Sequence, residues 1–186
     1  DSLVFSGGLE VVTGTTNTGY VVLEQMGVPL TFANAVSDFD FRAEIKLPNL
    51  PVAGGENFTF RAGFFLPGTL PNTTQEMSLY LDSSSPNWKV NVRDAAGFTR
   101  PDSGVAAQTT NPVVLRVKYD PIDQRTRAYI DGVEVQGVSD FARTVDLFSA
   151  LRVGFILQKT EGTTSRSVYV NRMSTNILYP AVAHFE

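Results

Sequence analysis

The sequence contains no cysteine, which removes disulfides, thiolate metal sites and thiol nucleophiles together. It contains one histidine, His184, close to the C-terminus. A Ser-His-Asp triad, a His-based zinc site or a histidine general base would all depend on that residue, beside a terminus that often frays. No apolar run reaches the roughly 18 residues of a membrane-spanning helix, and Asp1 to Gly8 lacks the basic and apolar regions of a signal peptide. The chain opens on Asp1 rather than Met, as expected of a processed or excised piece of a longer protein. Positive charge is also scarce. Fifteen Lys and Arg against nineteen Asp and Glu give a net charge of −4, so neither nucleic acid nor an anionic membrane surface is expected as a partner. Helical periodicity is nearly missing; the one candidate is a short turn around residues 146–151.

What is present is alternation. The chain is 186 residues long and 42% hydrophobic, enough for one domain with a full core, and no linker divides it. From 38 to 47, Phe39, Phe41, Ala43, Ile45 and Leu47 alternate with Asp40, Arg42, Glu44 and Lys46, the period-two pattern of a half-buried strand. Phe58, Phe60, Ala62 and Phe64 repeat it opposite Thr59 and Arg61, and Met77, Leu79 and Leu81 opposite Ser78, Tyr80 and Asp82. Trp88, Val90 and Val92 face inward opposite Lys89, Asn91 and Arg93. The looser stretch 94–112 predicts one short strand. Leu115, Val117 and Tyr119 alternate next, residues 120–124 form a turn, and Asp131-Gly132 predicts a tight hairpin after the strand 125–130. Two late strands are expected near 151–158 and 166–172. Many short strands joined by Gly, Pro and Asn turns, with no intervening helices, predict an all-β antiparallel sandwich or barrel. Residues 1–35 and 173–186 are expected as peripheral strands or arms of the single domain 1–186.

Five segments carry a resemblance. Residues 38–44 (Asp-Phe-Asp-Phe-Arg-Ala-Glu), Asn87-Trp88-Lys89-Val90, Asp102-Ser103-Gly104-Val105, Val114-Leu115-Arg116-Val117 and Tyr129-Ile130-Asp131-Gly132 come in an order that resembles concanavalin A-like jelly rolls of the lectin/glucanase type, a group that includes laminin G-like modules. Over roughly 36–172 the chain is more closely similar to modules of bacteriophage tail fibres and other virion structural proteins. The resemblance implies a two-sheet jelly-roll sandwich, located in a virion, or extracellular if cellular in origin; from the residues themselves no catalytic residue, cofactor or metal is expected. Its implied partners are other virion proteins or identical subunits, with a host-surface glycan as ligand. A cellular carbohydrate-binding domain and a ligand-free capsid decoration protein of the same fold stand as alternatives. The paired carboxylates of this fold's glycoside hydrolases are missing, and so are the partner motifs that alginate lyases place beside an Arg-x-Glu element such as Arg42-Ala43-Glu44, so the chain is expected not to be an enzyme.

The candidate ligand site is the polar parity of three neighbouring strands. Arg61, Tyr80, Asp82, Lys89, Asn91 and Arg93 offer donors, acceptors and one flat ring to a polyhydroxylated ligand. Each of these side chains is expected to be exposed, and a solvated sheet face without a ligand has the same composition. Trp88 shares its parity with Val90 and Val92 and is assigned to the core. Asp120 and Asp123 are the only carboxylates close together in a loop, too few for calcium, which takes six to eight oxygens. Phe65, Phe141, Phe148 and Phe185 fall off the core parity or in connections, so a loop or a neighbouring subunit is expected to cover them. The tail 177–182 is expected to return to the sheet or dock on another chain.

Overall fold

The computed structural model describes residues 2–24, 30–31, 38–55, 57–67, 73–94, 97–120, 125–135, 141–142 and 150–178. Among them the regular structure is entirely β. The strands are β1 (Ser2–Val12), β2 (Tyr20–Glu24), β3 (Leu30–Thr31), β4 (Asp38–Lys46), β5 (Phe58–Pro67), β6 (Thr73–Leu81), β7 (Asn87–Asp94) and β8 (Gly97–Thr99). They continue with β9 (Asp102–Ala106), β10 (Val113–Asp120), β11 (Arg125–Ile130), β12 (Val133–Glu134), β13 (Phe141–Ala142), β14 (Ala150–Lys159) and β15 (Ser167–Leu178).

Two antiparallel sheets form a sandwich. The first has the order β1-β15-β4-β10-β11-β12, with β13 also on β11; the second has the order β2-β14-β5-β6-β7-β8, with β3 on β14 and β9 on β7. The alternation predicts a sandwich or barrel, and the resemblance predicts the jelly-roll sandwich found here. Every inward residue of β4, from Phe39 to Ile45, is buried, as are Phe58, Phe60, Ala62 and Phe64 of β5 and Trp88, Val90 and Val92 of β7. The sheets meet through aromatic edges: Phe64 of the second sheet packs against Phe39 and Phe41 of the first at centroid distances of 6.3 and 6.2 Å. Within the second sheet, Phe60 meets Trp88 edge-on at 6.0 Å, a favoured aromatic geometry.

Local chemistry sets the turns and register. Asp131 and Gly132 both have positive φ (51° and 81°), as a two-residue type I′ hairpin between β11 and β12 requires. Asp131 Oδ1 also accepts a hydrogen bond from Val114 N at 2.8 Å. At Gly63, φ is 151°, and a Cβ would stand 2.3 Å from the Met77 carbonyl oxygen and 2.8 Å from Ser78 Cα. Only glycine lets β5 and β6 run this close.

Three placements differ from expectation. Residues 173–178, expected at the periphery, form the second half of β15, an interior strand between β1 and β4, and Ile177 and Leu178 of the tail pair there with Phe39 and Asp38. The stretch 94–112 holds two short strands, β8 and β9, rather than one. Residues 150 and 151 of the expected helical turn belong to β14; 146–149, 121–124, 179–182, Phe148 and Phe185 lie outside the described residues. Phe65 is buried.

Candidate functional site

Strand parity places Arg61 of β5, Glu76, Ser78 and Tyr80 of β6, and Lys89 and Asn91 of β7 on the face of the second sheet that points away from the core. Consecutive hairpins set the register, so Arg61 lies beside Tyr80 and Tyr80 beside Lys89, while Ser78 lies beside Asn91. The structure therefore gathers Arg61, Tyr80, Lys89 and Asn91 into one patch, and Asp82 joins it from the turn after β6. Arg93 is opposite Glu76 in the backbone register; its side chain lies outside the described residues.

The expected exposure is wrong for Arg61, Tyr80, Lys89 and Asn91, and Asp82 is half-buried. Asn91 is 0% exposed, Glu76 1%, Ser78 1%, Tyr80 5%, Arg61 6% and Lys89 8%. Alternation reports which side of a sheet a residue occupies, but not whether that side is covered. This face is a buried polar layer, and buried polar groups persist where they are hydrogen-bonded. Arg61 meets Glu76 Oε2 at 3.4 Å through Nη1 and donates to Gln158 Oε1 at 2.9 Å through Nη2. Ser78 Oγ donates to the other Glu76 oxygen. Lys89 Nζ donates to Asp82 Oδ1 at 2.7 Å and touches Ser84 Oγ.

Arg100 completes the arrangement. Its Nε donates to Asn91 Oδ1 at 2.8 Å, and its guanidinium lies 4.1 Å from the centroid of the Tyr80 ring. Lys89 Nζ is 5.9 Å from the same ring. Because Arg100 must face an acceptor, the Asn91 amide is fixed with Nδ2 on its other side, where it has no hydrogen-bond partner among the described residues. Burial pushes the Tyr80 phenol up, Arg100 opposes that shift, and hydrogen bonding to Asp82 adds to it. Burial alone would raise Asp82; hydrogen bonds from Lys89 and Ser84 outweigh it and hold the carboxyl below its ordinary value. At the rim, Asp102 is likewise lowered by hydrogen bonds from Ser85, Gly104 N and Asn87.

Sequence reasoning missed Glu76, Ser78, Gln158 and Arg100. The first two share the parity of Tyr80 and could have been found by it. Arg100 follows a stretch without periodicity, so no sequence signal placed it over Tyr80. Glu76 and Asp82 are six residues apart along one strand line, roughly 20 Å at the usual rise. That is far beyond the roughly 5 to 9.5 Å separating the carboxyl groups of glycoside hydrolases.

The outer face of the first sheet is a second polar surface. Asp38, Asp40, Arg116, Lys118 and Asn176 line a recess of about 260 Å³. Its charges pair with one another, Arg116 with Asp40 and Lys118 with Asp38 at 3.1 Å. Nearby, Arg127 pairs with Asp120 at 3.5 Å. Among the described residues no three His, Cys, Asp or Glu side chains converge.

No protein-family model and no curated protein matches the sequence. Solved structures match the fold. Protein SO2946 of Shewanella oneidensis MR-1 superposes with a TM-score of 0.63 at 15% identity, over 99% of this chain and 77% of that one. Alginate lyase AlyC3 in complex with dimannuronate gives 0.62 at 8% identity, over 93% and 74%. The carbohydrate recognition domain of Emp47p gives 0.52 at 13%, over 94% and 87%. The chain thus has the two-sheet jelly-roll fold of concanavalin A-like lectins. The same fold is found in a lyase, which overturns the expectation that this chain is not an enzyme: missing hydrolase and lyase motifs do not exclude catalysis on a scaffold that enzymes and lectins share.

Proposed function

We propose that this domain binds a saccharide on the outer face of its second sheet, with Tyr80 as the stacking platform and Asn91, Ser78 and Lys89 as hydrogen-bonding groups. Asn91 carries the proposal. A buried amide whose Oδ1 is engaged and whose Nδ2 has no partner among the described residues is a donor awaiting an acceptor, and a hydroxyl-rich ligand supplies one. Tyr80, the adjacent flat ring, offers the apolar surface that a sugar face needs. The carbohydrate recognition domain among the fold's relatives supports the same ligand class.

The setting proposed is a virion, where the domain contacts a host-surface glycan alongside other virion proteins or identical subunits. Its support is the resemblance of roughly 36–172 to tail-fibre and virion modules. The likeness to the Emp47p domain favours a second reading, a cellular carbohydrate-binding domain using the same face.

The test is an immobilised oligosaccharide panel probed with the parent and with Asn91→Leu, which keeps the branched heavy-atom shape and removes the amide. Binding lost at an unchanged melting temperature supports the proposal. Parent-level binding by the variant, or no binding by the parent to any saccharide, refutes it.

A further inference from the structure

Arg100 is rooted in a fixed backbone and ends on the two groups that a saccharide would use. It lies between β8 and β9, which pair with different parts of β7. The next residue, Pro101, has no N–H, and its carbonyl accepts Val90 N at 3.1 Å. From this anchor the side chain crosses β7 to Asn91 and reaches the Tyr80 ring on β6. With a guanidinium 4.1 Å above the ring centroid, and Tyr80 and Asn91 both buried, a sugar ring cannot stack on Tyr80 until Arg100 moves.

That movement has a chemical consequence. A displaced guanidinium gives up, among its contacts, an aromatic face and an amide acceptor. A ligand hydroxyl compensates with a neutral hydrogen bond, whereas a carboxylate compensates with charge-assisted, bidentate bonds roughly twice as strong. Around the ring, Arg61 is paired with Glu76 and Lys89 with Asp82, so the selection falls to Arg100, the cation that lies over the ring itself. From these contacts we infer that the face selects acidic saccharides, with Arg100 both covering the seat and reading the ligand's carboxylate. This rests on the saccharide-binding proposal and adds the ligand's charge and the residue that senses it.

The experiment uses the full chain and pairs of probes that differ only in charge: oligogalacturonate and oligoglucuronate, each beside its carboxyl-reduced counterpart. The parent should bind the acidic member of a pair about tenfold more tightly, the difference between a charge-assisted and a neutral hydrogen bond. Arg100→Ala should narrow the gap to about threefold or less, chiefly by tightening the neutral member, because the seat is then open. Arg100→Lys, which keeps the charge without the fork, should fall between them. The inference is overturned if the parent binds both members equally, or if Arg100→Ala retains the tenfold preference. If neither protein binds any member of either pair, while the oligosaccharide panel still shows the parent binding a neutral glycan, only the acidic specificity fails. If the panel too is blank, the saccharide reading fails with it.

Discussion

Replacing Arg61 by Ala separates a buried polar layer from a solvated sheet face. On a solvated face the change would remove an exposed ion pair and cost about 0–1 kcal/mol. Here Arg61 is 6% exposed and its partner Glu76 is 1% exposed, and the guanidinium links Glu76 on β6 to Gln158 on β14 across β5. Truncation takes a cationic partner from the buried Glu76 carboxylate and removes a tie across three strands. Breaking a buried pair from one side costs about 3–5 kcal/mol. For a domain of this size that lowers the melting temperature by roughly 6–20 °C. Removing both charges should be far milder: Arg61→Met with Glu76→Leu should recover most of the loss, since buried pairs are often replaceable by apolar packing. The assay is urea unfolding of the parent, the single variant and the double variant. A loss below about 1 kcal/mol for Arg61→Ala would refute the buried-layer account.

Trp88→Ala should cost about 3–5 kcal/mol, because the indole is 1% exposed and packs edge-on against Phe60; a stable variant that loses glycan binding would instead make Trp88 a ligand platform. Gly63→Ala should destabilise by about 2–4 kcal/mol, since its Cβ would meet the Met77 carbonyl at 2.3 Å; an unfolding midpoint equal to the parent's would show that β5 and β6 are not so close. Asp82 and Asp102 have lowered carboxyl pKa values in the folded state, so their contribution to the rim is present above the unfolded value of about 3.9 and is lost as pH falls through the lower folded value. Carbon-13 titration should give both carboxyls midpoints below about 3.9, and midpoints at or above that value would contradict the hydrogen bonding at the rim.

The sequence was most legible where one side chain type filled each parity. In β4 and β10 the inward residues are apolar and the outward ones mostly charged, so element, face and burial all followed. Trp88 and the Asp131-Gly132 hairpin followed from the same local rules. The neighbours β5, β6 and β7 were also legible, because they are consecutive antiparallel strands, and this brought Arg61, Tyr80, Lys89 and Asn91 together. What failed depended on distant chain. β15 enters the first sheet between β1 and β4 from the far end of the sequence, and its second half was obscured by a polar residue at an inward position, Thr175, which is 3% exposed. The burial of Asn91 and Tyr80 involves Arg100, whose position is set by the pairing of β8 and β9 with β7 rather than by any pattern in residues 94–112.

The central claim is that the Tyr80–Asn91 face is the saccharide seat, and the side-chain amide of Asn91 reports on it directly. Nitrogen-15-labelled protein titrated with the tightest oligosaccharide of the panel should show the Asn91 Nδ2 protons and Arg100 Nε–H shifting together with the backbone amides of Tyr80 and Lys89. The amides of Asp40 and Arg116, on the opposite sheet's outer face, should stay in place. Saturable shifts at Asp40, Arg116 and Tyr129 with an unmoved Asn91 amide would contradict the account.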